Sequence, residues 1–230
     1  MKRTISSLFV AGGLAFAVGA QAVVITDDFS VGHQTTELDT TSATGTLDQF
    51  DSSLGNLTGV SITLSGESIS SALLENTAAQ SQRFSFDSVL NWEFEVLAGS
   101  ENFETAFVTN LASTGGTVSL DSGVELDLGE TTDQGSVTLT FAGADLAQFI
   151  GAGTVGIGCN TLTGTNFVGG GGNIDNEQTT TAACFGEISY DFEGVAPPPP
   201  VPAPVPEPAS LWLIGAGLLG FTRASARKSS

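Results

Sequence analysis

From about residue 58 to residue 193 the chain alternates apolar and polar positions with a period of two. Val60, Ile62 and Leu64 are separated by small polar residues, and Leu90, Trp92, Phe94 and Val96 by Asn91, Glu93 and Glu95. Val124, Leu126 and Leu128 alternate with Glu125 and Asp127; Val137, Leu139 and Phe141 alternate with Thr138 and Thr140. Ile188, Tyr190 and Phe192 alternate with Ser189, Asp191 and Glu193. Successive side chains of a strand point to opposite faces, so each run predicts a half-buried antiparallel strand, apolar inside and polar outside. Small polar residues and glycines between the runs, at Ser65-Gly66, Thr114-Gly115-Gly116 and Asp121-Ser122-Gly123, predict turns. Short strands at this spacing predict an all-β fold, an antiparallel β-sandwich with a jelly-roll-like winding. Only Ala142–Ile150 reads as one or two helical turns. Asp27–Leu47 is polar and reads as an irregular lead-in or an edge strand.

The two termini break this period. Lys2 and Arg3, the apolar stretch Leu8–Gly19 and Ala20-Gln21-Ala22 have the order of a signal peptide over residues 1–22, with cleavage after Ala22. At the other end all eight prolines fall between Pro197 and Pro208. Residues 196–208 therefore predict a polyproline spacer, about 3.1 Å per residue, and bound a domain over residues 23–195. Val205-Pro206-Glu207-Pro208 then leads into an apolar run, Leu211–Phe221, followed by Arg223, Arg227 and Lys228. A turn-forming block, an apolar stem and cations on the far side form a membrane-handling signal. The run alone rises about 17 Å as a helix, short of a hydrocarbon core of roughly 30 Å. A stem over about residues 209–222 comes closer, with Arg223 snorkelling to the headgroups.

This three-part order over residues 205–228 resembles the PEP-CTERM sorting signal of Gram-negative bacteria, the substrate of a membrane protease called exosortase. The resemblance implies processing near Pro206–Pro208 after transient inner-membrane insertion, and a final place on the outer surface or in the extracellular matrix. Signal peptidase and exosortase are the implied partners. A second block, Phe50-Asp51 with Leu54-Gly55-Asn56-Leu57-Thr58-Gly59-Val60, resembles the N-terminal part of the choice-of-anchor E domain, a family of bacterial surface domains. It implies no activity. Physically, a polar turn at Asp51–Leu54 feeds a strand through Thr58–Leu64, with Phe50 and Leu54 capping the core.

Charge narrows the partners. Between Asp27 and Glu193 lie 24 acidic residues against one cation, Arg83. Nucleic acid and anionic membranes both need basic patches, so this domain is not built for either. Calcium is the ion such acidity suits. Glu125, Asp127, Glu130 and Asp133 cluster around an expected turn, and Asp175 and Glu177 lie in a glycine-rich loop. Neither group matches an EF-hand or a nonapeptide calcium repeat, so exposed carboxylates are the plainer reading.

Catalytic chemistry is sparse. His33 is the only histidine and sits in a polar segment, read as a solvated loop; the domain has no lysine and no G-x-S-x-G elbow. Arg83 reads as a partner for neighbouring carboxylates. The glycines after Phe167 lack the lysine of a phosphate loop and read as a flexible loop tip. Paired carboxylates leave a glycosidase formally open. Cys159 and Cys184, the only cysteines, share the inward parity of their strands. In an exported protein they predict a disulfide closing the Thr161–Ala183 loop, worth roughly 3 kcal/mol. Trp92, Phe94, Tyr190 and Phe192 stand at core-facing parity rather than on a sugar-stacking face. The resulting expectation is a non-enzymatic exported sandwich, structural or adhesive in an exopolysaccharide or biofilm matrix. The alternative is a carbohydrate-binding module for the matrix polymer, with or without Ca2+.

Overall fold

The computed structural model describes residues 22–39 and 43–195. Alternation carries almost all of them into strands: β1 (Ala22–Thr35), β2 (Thr44–Asp48), β3 (Gly55–Asn76), β4 (Gln82–Ala98), β5 (Glu101–Ser113), β6 (Val118–Leu120), β7 (Glu125–Phe141), β8 (Thr154–Gly169) and β9 (Ile174–Gly194). One sheet has the order β1-β9-β3-β7 and the other β2-β8-β4-β5, with the short β6 beside the start of β4. Every pairing between these strands is antiparallel. The sheets face one another as a β-sandwich, with β1 against β2 and β5 against β7 at the two sides. β3 pairs along its whole length with β9, from Gly55 opposite Gly194 to Asn76 opposite Ile174. At about 3.3 Å per residue these two strands run roughly 70 Å.

The core has two apolar parts. The larger holds Val60, Ile62, Leu64, Leu90, Trp92, Phe94, Val96, Ile188, Tyr190 and Phe192, all buried at the expected parity. The smaller holds Leu74, Phe84, Phe86 and Leu120. Between them runs a polar waist. Ser68 and Ser70 of β3, Ser88 of β4, Thr109 of β5, Thr161 of β8 and Thr180 of β9 are each buried. Hydrogen bonds knit it: Ser68 to Thr109 at 3.2 Å, Trp92 Nε1 to Thr109 at 2.8 Å, and Ser70 to Thr180 at 2.9 Å.

Several expectations change. Ser65-Gly66 is not a turn but the middle of β3. A Cβ on Gly66 would lie 2.5 Å from the Trp92 ring, and one on its cross-strand partner Gly135 would lie 2.5 Å from Phe107. Trp92 stacks on Phe107 at 5.6 Å and Phe107 on Phe94 at 5.7 Å, so the glycines make room for an aromatic slab. Of the two readings of Asp27–Leu47 the edge strand holds, doubled: it supplies β1 and β2, stitched where Asp48 N donates to Asp27 Oδ2 at 2.7 Å. The supposed loop Thr161–Ala183 is mostly strand, turning only at the 3-10 segment Gly170–Gly172. Val124 precedes β7 and is exposed.

Other expectations hold. Ala142–Ile150 contains the 3-10 segment Gly143–Phe149. Asp51–Leu54 is a turn in which Ser53 N donates to Asp51 Oδ1 at 2.8 Å. That backbone bond and the Ser53 hydroxyl hold the Asp51 carboxyl below its ordinary value. Phe50 is buried against Tyr190 and Phe192, at 5.7 and 5.1 Å, whereas Leu54 is exposed and caps nothing. Among the described residues no helix is long and apolar enough to cross a membrane. The expected signal peptide up to Gln21, the expected linker 196–208, the expected stem 209–222 and the sorting residues 205–228 lie outside the described residues.

Candidate functional site

The long strands give the sandwich two ends. At one end β1 begins with Val23 opposite Phe192, and β9 finishes with Gly194 opposite Gly55. There Val195 N still donates to Leu54 O at 3.2 Å. The domain therefore starts and finishes at the same end. The other end is made of the turns between β3 and β4, between β5 and β7, and between β8 and β9.

Strand geometry separates the expected calcium ligands. Glu125, Asp127 and Glu130 lie not around a turn but along β7, exposed. Asp133, beyond a bulge in the pairing, accepts from Asn110 N at 2.7 Å and Asn110 Nδ2 at 3.3 Å. Asp127 Oδ1 accepts from Gly129 N at 2.8 Å. A strand spaces successive side chains over about 3.4 Å and alternates their faces, so these four carboxylates do not converge. Among the described residues no three His, Cys, Asp or Glu side chains are placed to hold a metal ion. Asp175 and Glu177 lie on β9 and are exposed.

The cysteines do converge. Cys159 of β8 and Cys184 of β9 form a disulfide, both fully buried. Because β8 and β9 belong to different sheets, the bridge ties sheet to sheet, and the segment it closes is mostly strand. His33 is on β1, not in a loop; its Nε2 lies 3.0 Å from Glu67 Oε1 and its Nδ1 3.4 Å from Thr181 Oγ1. The contact with Glu67 is the one between a basic and an acidic side chain within ion-pair distance among the described residues, so Arg83 has no carboxylate partner there. Trp92, Phe94, Tyr190 and Phe192 are core residues and form no sugar-stacking face. Tyr190 donates its hydroxyl to Asp48 O at 2.6 Å. Burial pushes this phenol above its ordinary range, and the nearby charges of Asp27 and Asp48 push it further.

One cleft was not read from the sequence. Past the ends of β1 and β2, the edges of β9 and β8 face each other across the open side of the sandwich. A cleft of about 330 Å³ lies there, lined by Thr36, Thr163, Thr165, Asn176, Gln178 and Thr180 among others. The strap after β1 bounds it: Thr36 N donates to Thr180 O at 3.1 Å, and Leu38 N to Thr161 Oγ1 at 2.7 Å. Gln178 Nε2 donates to Ser70 Oγ at 3.0 Å and Thr180 Oγ1 at 3.3 Å, joining the cleft to the polar waist. The Asn176 Oδ1 and Gln178 Oε1 atoms are buried and have no partner. The signal was present as parity. Thr161, Thr163 and Thr165 continue the inward positions of Cys159, and Asn176, Gln178 and Thr180 lead into those of Ala182 and Cys184. A larger hollow of about 570 Å³ lies on the outer face around Ser65, Glu67 and Phe185, but Glu67 is already engaged by His33.

The profile of the PEP-CTERM protein-sorting motif matches residues 204–228. The chain carries an exosortase sorting signal. PEP-CTERM motifs mark exported proteins processed by exosortase, so the destination is the cell surface or the extracellular space. The match covers Val205-Pro206-Glu207-Pro208 together with Arg223, Arg227 and Lys228. No curated protein matches the chain significantly.

Among solved structures, infectious bursal disease virus, Gx strain, is 12% identical over 76% of this chain and 37% of its own, with a TM-score of 0.23. The VP2 subviral particle of the same virus is 12% identical over 81% of this chain and 42% of its own, at 0.18. Desmodium yellow mottle tymovirus is 10% identical over 86% of this chain and 97% of its own, at 0.16. The chain thus spans less than half of those two bursal-virus chains, and TM-scores this low carry no argument about fold or function.

Proposed function

We propose that this PEP-CTERM protein is a non-catalytic structural or adhesive component of an exopolysaccharide or biofilm matrix. The observation that carries the reading is the sorting motif downstream of an acidic domain whose two ends lie together. A sandwich leaving from one end presents its opposite turns and both outer faces to the surroundings. The strand order β1-β9-β3-β7 over β2-β8-β4-β5 is a jelly-roll winding, a fold used for capsid and lectin domains, although fold alone assigns no role. Signal peptidase at Ala20–Ala22, exosortase at Val205–Pro208 and the matrix polysaccharide are its partners in this reading.

The test is the intact mass of the protein from native cells and from spent medium. A mass beginning at Val23 and ending near Pro206–Pro208 supports it. Full-length protein retained in the membrane fraction argues against exosortase processing. Deleting the gene should alter cell aggregation without removing a hydrolytic activity; loss of such an activity overturns the non-catalytic assignment. A second reading, a carbohydrate-binding module, is favoured by the polar cleft between β8 and β9.

A further inference from the structure

Resting on that second reading, we propose that the cleft between β8 and β9 is a subsite for one uncharged sugar unit of a glycan. Its inward side chains are all neutral and polar, which is unusual between two sheets. Two amide oxygens, Asn176 Oδ1 and Gln178 Oε1, are buried without a donor. An acceptor left in that state destabilises the empty site, a penalty that a donating ligand removes. The Gln178 amide is already oriented, because its nitrogen is engaged by Ser70 and Thr180.

Three classes of donor ligand can be compared. A cation would look for a carboxylate, yet the cleft is lined by Thr, Asn and Gln alone. An anionic sugar such as a uronate would bring further acceptors to orphan acceptors, inside a domain with 24 acids and one arginine. A neutral sugar supplies hydroxyl donors and its oxygens can accept from the Thr163 and Thr165 hydroxyls, while the two amide oxygens, shielded from solvent, come within reach as Asn176 and Gln178 shift on binding. The volume, about 330 Å³, is at the small end of the roughly 300–1,000 Å³ of small-molecule sites. Two positions beyond Thr165, on the same face of β8, stands Phe167, 38% exposed and braced at 4.6 Å by Phe86. It gives the apolar C–H face of a sugar ring a surface to lie on. The strap at Thr36–Leu38 is tied to both sheets, which fixes the mouth of the cleft.

The exported protein, purified from spent medium or envelope, would be titrated with soluble glucose-, mannose- and galactose-based oligosaccharides and with an oligouronate. Binding would be followed by calorimetry and by the side-chain amide resonances of Asn176 and Gln178. The expected result is binding of a neutral oligosaccharide that shifts both resonances and weakens at least tenfold in Asn176→Ala. Thr165→Arg, which obstructs the cleft from an exposed position and leaves the Ser70–Thr180–Gln178 bonds intact, should abolish binding without lowering the melting temperature. A neutral glycan that binds Thr165→Arg as tightly as the parent overturns the cleft but leaves a sugar-binding role elsewhere on the domain. Binding of the oligouronate alone overturns the neutral assignment. Binding of none of these probes overturns the carbohydrate reading and the cleft together.

Discussion

Gly66 and Tyr190 are two positions where one group constrains much around it. Gly66 has no side chain because the Trp92 ring occupies the place of a Cβ, with backbone on one side and the Phe107 and Phe94 rings on the other. Gly66→Ala should therefore lower stability by about 1–3 kcal/mol through overpacking, read as a fall in melting temperature by calorimetry. An unchanged melting temperature would show that the aromatic slab yields freely. Tyr190 is the only tyrosine in the chain, so the phenolate absorbance of the protein reports on it alone. Its raised pKa means the native state holds the phenolic proton more tightly than the unfolded chain, whose tyrosine titrates near pH 10. This contribution to stability is complete below about pH 10 and is lost as pH rises above it. Phenolate absorbance should appear only as the folded circular dichroism disappears; titration at the ordinary value in a folded protein would refute the burial argument.

Between elements, the strongest single tie is the Cys159–Cys184 bridge across the sandwich. With its cysteines 25 positions apart in sequence, reduction should remove roughly 3 kcal/mol of stability on the loop-entropy account, seen as a lower denaturation midpoint in reductant. The pairing itself was readable from inward parity and export. What it joins was not, because glycine and threonine between the two cysteines resemble a loop when local composition is the guide. The same composition concealed the polar waist. Ser68, Ser70 and Thr180 keep the period of two but place hydroxyls where apolar side chains are expected, so β3 reads as ending near Leu64 when it runs to Asn76. Val60–Leu64, Leu90–Val96 and Ile188–Phe192 were legible because their inward positions are apolar as well as periodic. Glu125–Asp133 misled for the opposite reason: four acids close in sequence suggest convergence, and a straight strand disperses them. The cleft was hidden in the same way, its residues being regular in period and polar in kind.

At the scale of the whole molecule, charge and placement of the chain ends matter most. With acids outnumbering cations by 24 to one in residues 23–195, the domain should stay off anionic vesicles and nucleic acid at low salt; retention on either would contradict that balance. The start of β1 and the finish of β9 share one end, so the residues preceding β1 and those following β9 both join the domain there. The sheet-to-sheet bridge then acquires a mechanical meaning. If the linker is tugged while the domain is gripped by its surroundings, β9 is drawn out from Gly194 backwards. About ten residues, Phe185 to Gly194, can peel away, some 35 Å of slack at roughly 3.5 Å per residue. At Cys184 the strain passes through a covalent bond into the opposite sheet, and the mooring gives a little and then holds.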